Sequence, residues 1–292
     1  SLGARTQRIQ TLAGDIAGLI GGVKMLAIEA AGLCKCDLLS SMVGEFPDLQ
    51  GIMGAYYAAA DGMPAEVAVA IREHYLPRGA GDALPESHAG MAVALADRLD
   101  TMAGIFAIGL KPSGTKDPFG LRRAAIGVLR IVLERHLDFD LAALVERAVA
   151  LQPVTRDGTA AEVFEYVLER LRGHYVDGRS ESAAGFNNAA ITTEMFDAVI
   201  ATRAVSLGDI DMRRRAPASL LGRPQAPNPI AANKRIGNIL RKATEPVHGM
   251  VDSHKFVAPA EKALGHALTA HRDNVLRMIA ARDYSAAFNE LV

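Results

Sequence analysis

Apolar residues recur along most of the chain at spacings of three and four, the period of an amphipathic helix. Alternating patterns typical of strands are hard to find in any part of it. The pattern therefore predicts an all-α fold of helical bundles. The predicted helices cover residues 5–20, 24–43, 52–61, 67–75, a central apolar stretch ending near 110, 121–137, 141–151, 163–171, 193–203, 209–221, 231–242 and 259–281.

Two of these helices carry expectations about burial. The helix over 24–43 is apolar on more than one side, which is typical of a helix in the middle of a bundle. Its polar exceptions, Lys35, Asp37 and Glu45, would then need partners. The last long helix is expected to bury Leu264, Leu268, Val275, Met278 and Ile279.

Turn-forming residues divide the chain. Pro, Thr, Asp and Gly cluster over 152–158, which predicts a boundary between domains at 1–151 and 152–292. A chain of 292 residues is long enough for two such cores. The segment 221–230 holds three prolines and is predicted to be extended or partly disordered.

Composition and charge narrow the class of protein. Half of the residues are apolar, alanine is abundant and tryptophan is absent, which favours closely packed helices. The net charge of −1 provides no global attraction to nucleic acid, so any basic surface must be local. Cys34 and Cys36 are too close in sequence to bridge easily, which suggests a reducing compartment. No signal-like segment opens the sequence, and charges interrupt the apolar run near residue 97, so we expect a cytoplasmic protein.

The central stretch contains most of the residues that could bind a ligand or take part in catalysis. Asp97 and Asp100 are three residues apart and share one helical face. The helix then enters a turn, and Asp117 followed by Pro118 is placed to cap the next helix. Helix-start amides together with nearby cations predict a site for an anion such as phosphate. The cations of this turn are Lys111, Lys116, Arg122 and Arg123.

A second basic patch lies in the predicted helix 231–242. Its cations form two pairs seven residues apart, Lys234 with Arg241 and Lys242 with Arg235, so each pair lies along one face. Arg78 is a weaker candidate beside a glycine-rich loop. Each patch alone is more typical of a solvated helix face, and the two together on a neutral chain make RNA a candidate partner without identifying it.

A third group of residues resembles the HD superfamily of metal-dependent phosphohydrolases. Such enzymes use a His, a His-Asp pair and a late Asp to hold metal. The corresponding positions here are Cys36, Asp37, His74, Asp97 and Asp100. No histidine precedes His74, so the first ligand is missing, and we expect a satisfied internal hydrogen-bond network with neither metal nor catalytic residues.

Several longer motifs resemble the β subunit of bacterial heterotetrameric glycyl-tRNA synthetase. They include EFPDLQGIMG at 45–54, EHYLPR at 73–78, ADRLD at 96–100 and ANKRIGNIL at 232–240. Further matches lie at 35–37, 42–44, 104–110, 116–119 and 121–123. Residues 150–225 resemble the family only weakly.

The resemblance implies an α₂β₂ enzyme that joins glycine to tRNA(Gly) using ATP and Mg²⁺. The adenylate chemistry belongs to the α subunit, and the β subunit binds tRNA. The family carries a degenerate HD domain, followed by a helical region similar to the anticodon-binding domain of arginyl-tRNA synthetase. The chain is then expected to be a C-terminal portion of such a subunit, with its second domain incomplete, no catalytic residue and no membrane contact.

Two other functions stay open at this point. One is a residual HD-type phosphohydrolase, and the other is a structural module that holds subunits together. The motif over residues 45–50 fits either an internal corner or a docking surface.

Overall fold

A computed structural model describes residues 1–79, 81–112, 116–176, 192–221, 227–242 and 253–291. Every regular element of three or more residues in these ranges is helical, which confirms the all-α prediction. The chain forms two compact units. The first comprises Ser1–Asn188 with Arg203–Gly208, and the second comprises Ala189–Thr202 with Asp209–Val292.

The first unit is built around one helix, α6. Its helices are α1 (Leu2–Leu19), α2 (Lys24–Leu33), α3 (Ser41–Glu45), α4 (Ile52–Ala60), α5 (Ala65–Glu73), α6 (His88–Ala107), α7 (Leu121–Glu134), α8 (Leu141–Ala150) and α9 (Thr159–Val176). Helix α6 contacts α1, α2, α5, α7, α8 and α9. Most of its side chains are buried and many are alanine, so six helices can approach it closely.

The helix predicted over 24–43 is correct only for Lys24–Leu33, and two further short elements replace the rest of it. Helix α2 ends at Leu33, a 3₁₀ turn spans Cys36–Leu39, and α3 starts after Ser40, whose Oγ accepts from the amide of Val43 at 3.2 Å. The chain bends here because the Asp37 carboxylate turns inward to the start of α4.

The burial expected of this segment is correct only in part. Lys35 and Asp37 are buried and have partners, as predicted. Glu45 is exposed, and so are apolar side chains such as Met25 (70% exposed). Only the alanine face of α2 enters the core, so the segment is not a central helix of the bundle.

Asp117 binds the first amides of α7, but it lies earlier in the chain than the N-cap position predicted for it. Helix α7 begins at Leu121, and its N-cap is Gly120 with a φ of 66°. The Asp117 carboxylate accepts from the amides of Leu121 (2.8 Å) and Arg122 (2.9 Å). The predicted interaction is therefore present, but Pro118 lies in the preceding turn and not in the helix.

The second unit contains the remaining helices. They are α10 (Thr193–Ala201), α11 (Leu207–Leu221, whose first two residues belong to the first unit), α12 (Pro227–Lys242), α13 (Pro259–Ala280) and α14 (Tyr284–Glu290). The hydroxyl of Tyr284 donates to Asp209 at 2.5 Å and Arg213 lies over its ring, which fixes α14 to α11.

Two sequence expectations for this unit need correction. Of the five apolar residues expected to be buried by the last long helix, only Val275 is buried, and Leu264 is 59% exposed. Residues 227–230 are helical and not extended, because prolines are tolerated in a first turn whose amides need no intrahelical partner. Residues 222–226 of the same prediction lie outside the described residues.

Helix α9 packs against α6, α7 and α8, so it belongs to the first compact unit. The predicted division at 151–152 stays a prediction about functional domains. No helix in the described ranges is both long and apolar enough to cross a membrane.

The bend between α2 and α4 supplies a test of packing. A Cβ on Gly54 would lie 2.9 Å from Cγ2 of Ile71 and 3.0 Å from Oδ2 of Asp37. Gly54→Ala should lower the free energy of unfolding by about 1–3 kcal/mol, measured by urea denaturation. Gly44→Ala is the matched control, since nothing lies within 4 Å of its Cβ, and it should leave stability unchanged or higher. Equal losses in both variants would contradict this packing.

Candidate functional site

A buried ammonium group lies at the centre of the first unit. Nζ of Lys35 is 3.0 Å from Nε2 of His74 and 2.9 Å from Oδ2 of Asp97. It also lies 4.0 Å from the ring centroid of Tyr75. Lys35 is 6% exposed and His74 is fully buried, so this cation is held by protein groups and hardly by water.

The hydrogen bonds of His74 define its tautomer. Nδ1 is 2.6 Å from the carbonyl oxygen of Ile71, which can only accept, so Nδ1 carries the proton. Nε2 then accepts from the Lys35 ammonium. Burial lowers the pKa of His74 to about 3, with a further contribution from Lys35, so the ring is neutral at pH 7.

Arginines of α1 complete the ionic network. Arg5 donates to Oδ1 of Asp97 at 2.7 Å, and Arg8 contacts both oxygens of Asp100 at 2.6 and 3.1 Å. Gln152 donates to Asp100 at 2.9 Å. Burial would raise the pKa of Asp97, but Lys35 and Arg5 together hold that pKa well below its usual range. The Asp97 carboxylate is therefore ionised, and both oxygens of each carboxylate have a hydrogen-bond partner.

The other two residues of the HD-like group act elsewhere. Asp37 accepts from the amides of Gly51 (2.6 Å) and Gly54 (3.0 Å), which fixes the N-terminus of α4. Cys36 is exposed, and its sulfur lies 3.8 Å from the carbonyl oxygen of Gly32. Among the described residues, no group of three His, Cys, Asp or Glu side chains is placed to hold a metal ion. His74, Asp97 and Asp100 thus form hydrogen bonds within the protein, as expected from the sequence. In contrast, Cys36 is exposed, and Oδ1 of Asp37 is buried without a hydrogen-bond partner in the part of the chain that the structure describes.

Arg98 is a residue of this network that the sequence analysis missed. Its guanidinium donates to the carbonyls of His74 (3.1 Å), Tyr75 (3.1 Å) and Pro77 (2.9 Å). A Cβ on Gly127 would lie 2.4 Å from Nε of Arg98, so this glycine of α7 leaves the space that the side chain fills. The one signal in the sequence was a basic residue between two aspartates inside a largely apolar helix.

The cations of the 111–123 turn have mixed surroundings. Lys111 pairs with Glu162 of α9 at 2.7 Å, and Arg156 contacts the same carboxylate. Arg122 shares a cavity with acidic residues of α9 and with two aromatic rings, whereas Lys116 and Arg123 are exposed. The lining residues of this cavity are Phe106, Lys111, Pro112, Arg122, Glu162, Glu165, Tyr166, Glu169 and Arg170. The turn is thus less basic than its sequence indicates.

Arg78 also has a structural role. It donates to the carbonyls of Asp48 (3.4 Å) and Gln50 (3.2 Å), so it holds the backbone of the 45–50 motif. Its side chain remains exposed.

The cations of α12 remain in solvent. Residues 231–242 are all exposed, and Arg241 bonds to Asn238 of its own helix at 2.7 Å. Lys234, Arg235 and Lys242 line a shallow hollow together with Ala231, Asn238 and Ile239. The second basic patch predicted from the sequence is therefore a continuous exposed surface.

Comparison with known proteins decides the family. The sequence model described as the glycyl-tRNA synthetase beta subunit matches residues 1–189. The chain belongs to the glycyl-tRNA synthetase beta subunit family. This confirms the resemblance found in the motifs.

Curated relatives in this family are similar along almost the whole chain. The chain is 46% identical over 289 residues to the glycine–tRNA ligase beta subunit of Ectopseudomonas mendocina (strain ymp), covering 98% of this chain and 41% of the relative. The corresponding subunit of Haemophilus influenzae (strain PittEE) is 44% identical, with 98% and 40% covered. The chain thus spans about two fifths of the length of the relatives it matches. In this family member, two of the HD-like residues, His74 and Asp97, bind the Lys35 ammonium.

Substitution of the buried Lys35 should lower the free energy of unfolding strongly. Lys35→Met leaves Asp97 buried with one partner fewer and should cost about 3–5 kcal/mol in the free energy of unfolding. Lys24→Met, at the exposed start of α2, is the control and should change it by less than about 0.5 kcal/mol. A similar small effect for both variants would show that the Lys35 network contributes little.

The neutral His74 predicts a specific pH dependence. The unfolded chain binds a proton at this ring below pH 6.5, whereas the folded chain resists protonation down to about pH 3, so stability falls as pH drops through this range. Between pH 7 and 5, the wild type should lose about 2 kcal/mol more than His74→Gln, which has no titrating ring. Urea denaturation at both pH values measures the difference, and parallel losses would refute the lowered pKa.

Proposed function

We propose that this chain is a tRNA-binding part of the β subunit of glycine–tRNA ligase, the enzyme that attaches glycine to tRNA(Gly). Membership of the glycyl-tRNA synthetase beta subunit family is the observation that carries the proposal. The exposed cations of α12 support a contact with RNA, because the phosphate groups of RNA can reach cations that lie in solvent.

The chemistry of aminoacylation is assigned to the partner subunit. In this proposal the whole enzyme is an α₂β₂ assembly in the cytoplasm, and ATP and Mg²⁺ act in the α subunit. The polar groups at the centre of the first unit bind one another and are not assigned to a substrate. This chain would therefore contribute binding and not catalysis.

The two basic patches contribute unequally. Lys234, Arg235, Arg241 and Lys242 form the principal RNA surface, since all four are exposed on one helix. Lys116 and Arg123 are assigned a separate contact in the first unit, since both are exposed there. The remaining cations of the prediction, Lys111, Arg122 and Arg78, are assigned a smaller share, because Lys111 and Arg78 bond to protein groups and Arg122 lies beside acidic residues.

No observation in the described residues favours the residual phosphohydrolase. The lone pair of His74 and the carboxylate of Asp97 both face the Lys35 ammonium, which is where such a site would place its ion. A role in subunit assembly is compatible with tRNA binding, and the exposed apolar side chains between α2 and α4 support such a role.

A titration with tRNA tests the proposal. The chain should bind tRNA(Gly) more tightly than an unrelated tRNA, with an affinity that falls steeply between two salt concentrations. The double variant Lys234→Gln/Arg241→Gln should bind more weakly, and the slope of log K against log salt should become shallower by about 1.5.

A double variant with the same change in charge serves as the control. Lys24→Gln/Arg72→Gln removes two exposed cations outside both patches and should leave affinity and slope unchanged. If both double variants weaken binding equally, the contact is non-specific attraction and the α12 assignment is wrong. If the wild type binds neither tRNA at either salt concentration, this chain alone does not form the RNA surface.

A further inference from the structure

The corner between α2 and α4 exposes apolar side chains that the fold does not use. This corner, residues 36–50, contains the 3₁₀ turn Cys36–Leu39, helix α3 and the 3₁₀ turn Pro47–Leu49. Leu39 is 83% exposed and Phe46 is 55% exposed, and Leu38 and Met42 are exposed as well. The short elements contact one another, so these side chains form one local surface.

The backbone under this surface is held rigidly. Asp37 anchors its start to the amides of Gly51 and Gly54, and Ser40 caps α3. Arg78 holds its end through the carbonyls of Asp48 and Gln50. Apolar side chains on an ordered backbone gain from burial without a further loss of backbone entropy, which is the property of a preformed docking surface.

The charge of the corner is entirely acidic along the sequence. No lysine, arginine or histidine occurs between residues 36 and 71, whereas five acidic residues do. Four of them are exposed, Glu45, Asp48, Asp61 and Glu66. Of the cations near the corner, Lys35 is buried and bonded to Asp97, and Arg78 is bonded to backbone carbonyls of the corner. Within the corner itself, Glu45 and Asp48 are the exposed charges, so its surface charge is negative and would repel the phosphates of RNA.

We infer that the corner 36–50 is a docking surface for a protein partner that presents apolar side chains flanked by arginine or lysine, and that this partner is the α subunit. The inference rests on the proposed function, which supplies an α subunit. A second copy of this chain is a poorer occupant, because a symmetric contact would bring Glu45 and Asp48 against their own copies.

Binding of the purified α subunit to this chain tests the inference. Leu39→Ser should raise the dissociation constant at least about tenfold, as expected for an apolar anchor in an interface. Val257→Ser is the matched control, since Val257 is 86% exposed and belongs to the second unit, and its effect should stay within about twofold. Glu45→Lys should also weaken binding and reduce its dependence on salt.

Two further measurements separate this inference from the tRNA-binding proposal. Circular dichroism should show the same helix content in wild type, Leu39→Ser and Val257→Ser, because the substituted side chains are exposed. The affinity for tRNA should be the same in Leu39→Ser as in wild type.

Several outcomes would overturn the inference while leaving the tRNA-binding proposal intact. In the first, the wild type binds tRNA but does not bind the α subunit. In the second, Leu39→Ser and Val257→Ser change the affinity for the α subunit equally. In the third, the wild type associates with itself and Leu39→Ser abolishes that association. Loss of tRNA affinity in Leu39→Ser would instead assign the corner to RNA. Failure of the wild type to bind either the α subunit or tRNA would overturn both proposals.

Discussion

The buried ammonium of Lys35 is the constraint on which the first unit depends. A charged group removed from water is costly unless its partners replace the lost hydration. His74 of the α5 end and Asp97 of α6 provide that replacement at 3.0 and 2.9 Å, and Arg5 of α1 balances the second oxygen of Asp97. These contacts link the end of α2 to three other helices. Any change in their relative position would leave a buried charge unpaired.

The same network explains why residues typical of a hydrolase can have a structural role here. A metal ion that activates water must keep a coordination position open. The Lys35 ammonium donates its hydrogen bonds to the imidazole and the carboxylate and offers no such position. Asp37 meanwhile fixes the start of α4 and shapes the corner 36–50. The acidic and imidazole groups thus hold helices together and position a surface.

The net charge is near zero, but two surfaces of the chain carry opposite charge. The exposed face of α12 is cationic, and the corner 36–50 exposes apolar side chains together with Glu45 and Asp48. Phosphate-rich RNA and a basic protein surface would therefore be attracted to different parts of the chain. Charge along short stretches of the sequence is more informative for this protein than the total.

The sequence by itself determined the helical class, most of the helices and the need of Lys35 and Asp37 for partners, because these follow from local periodicity and from the cost of burying charge. Its motifs were also enough to identify the family. Only the tertiary structure decided that Lys111 is paired with Glu162, that Leu264 is exposed, and that Arg98 fills the space left by Gly127. Periodicity shows which face of a helix is apolar or charged, but the neighbour of that face comes from residues distant in the chain.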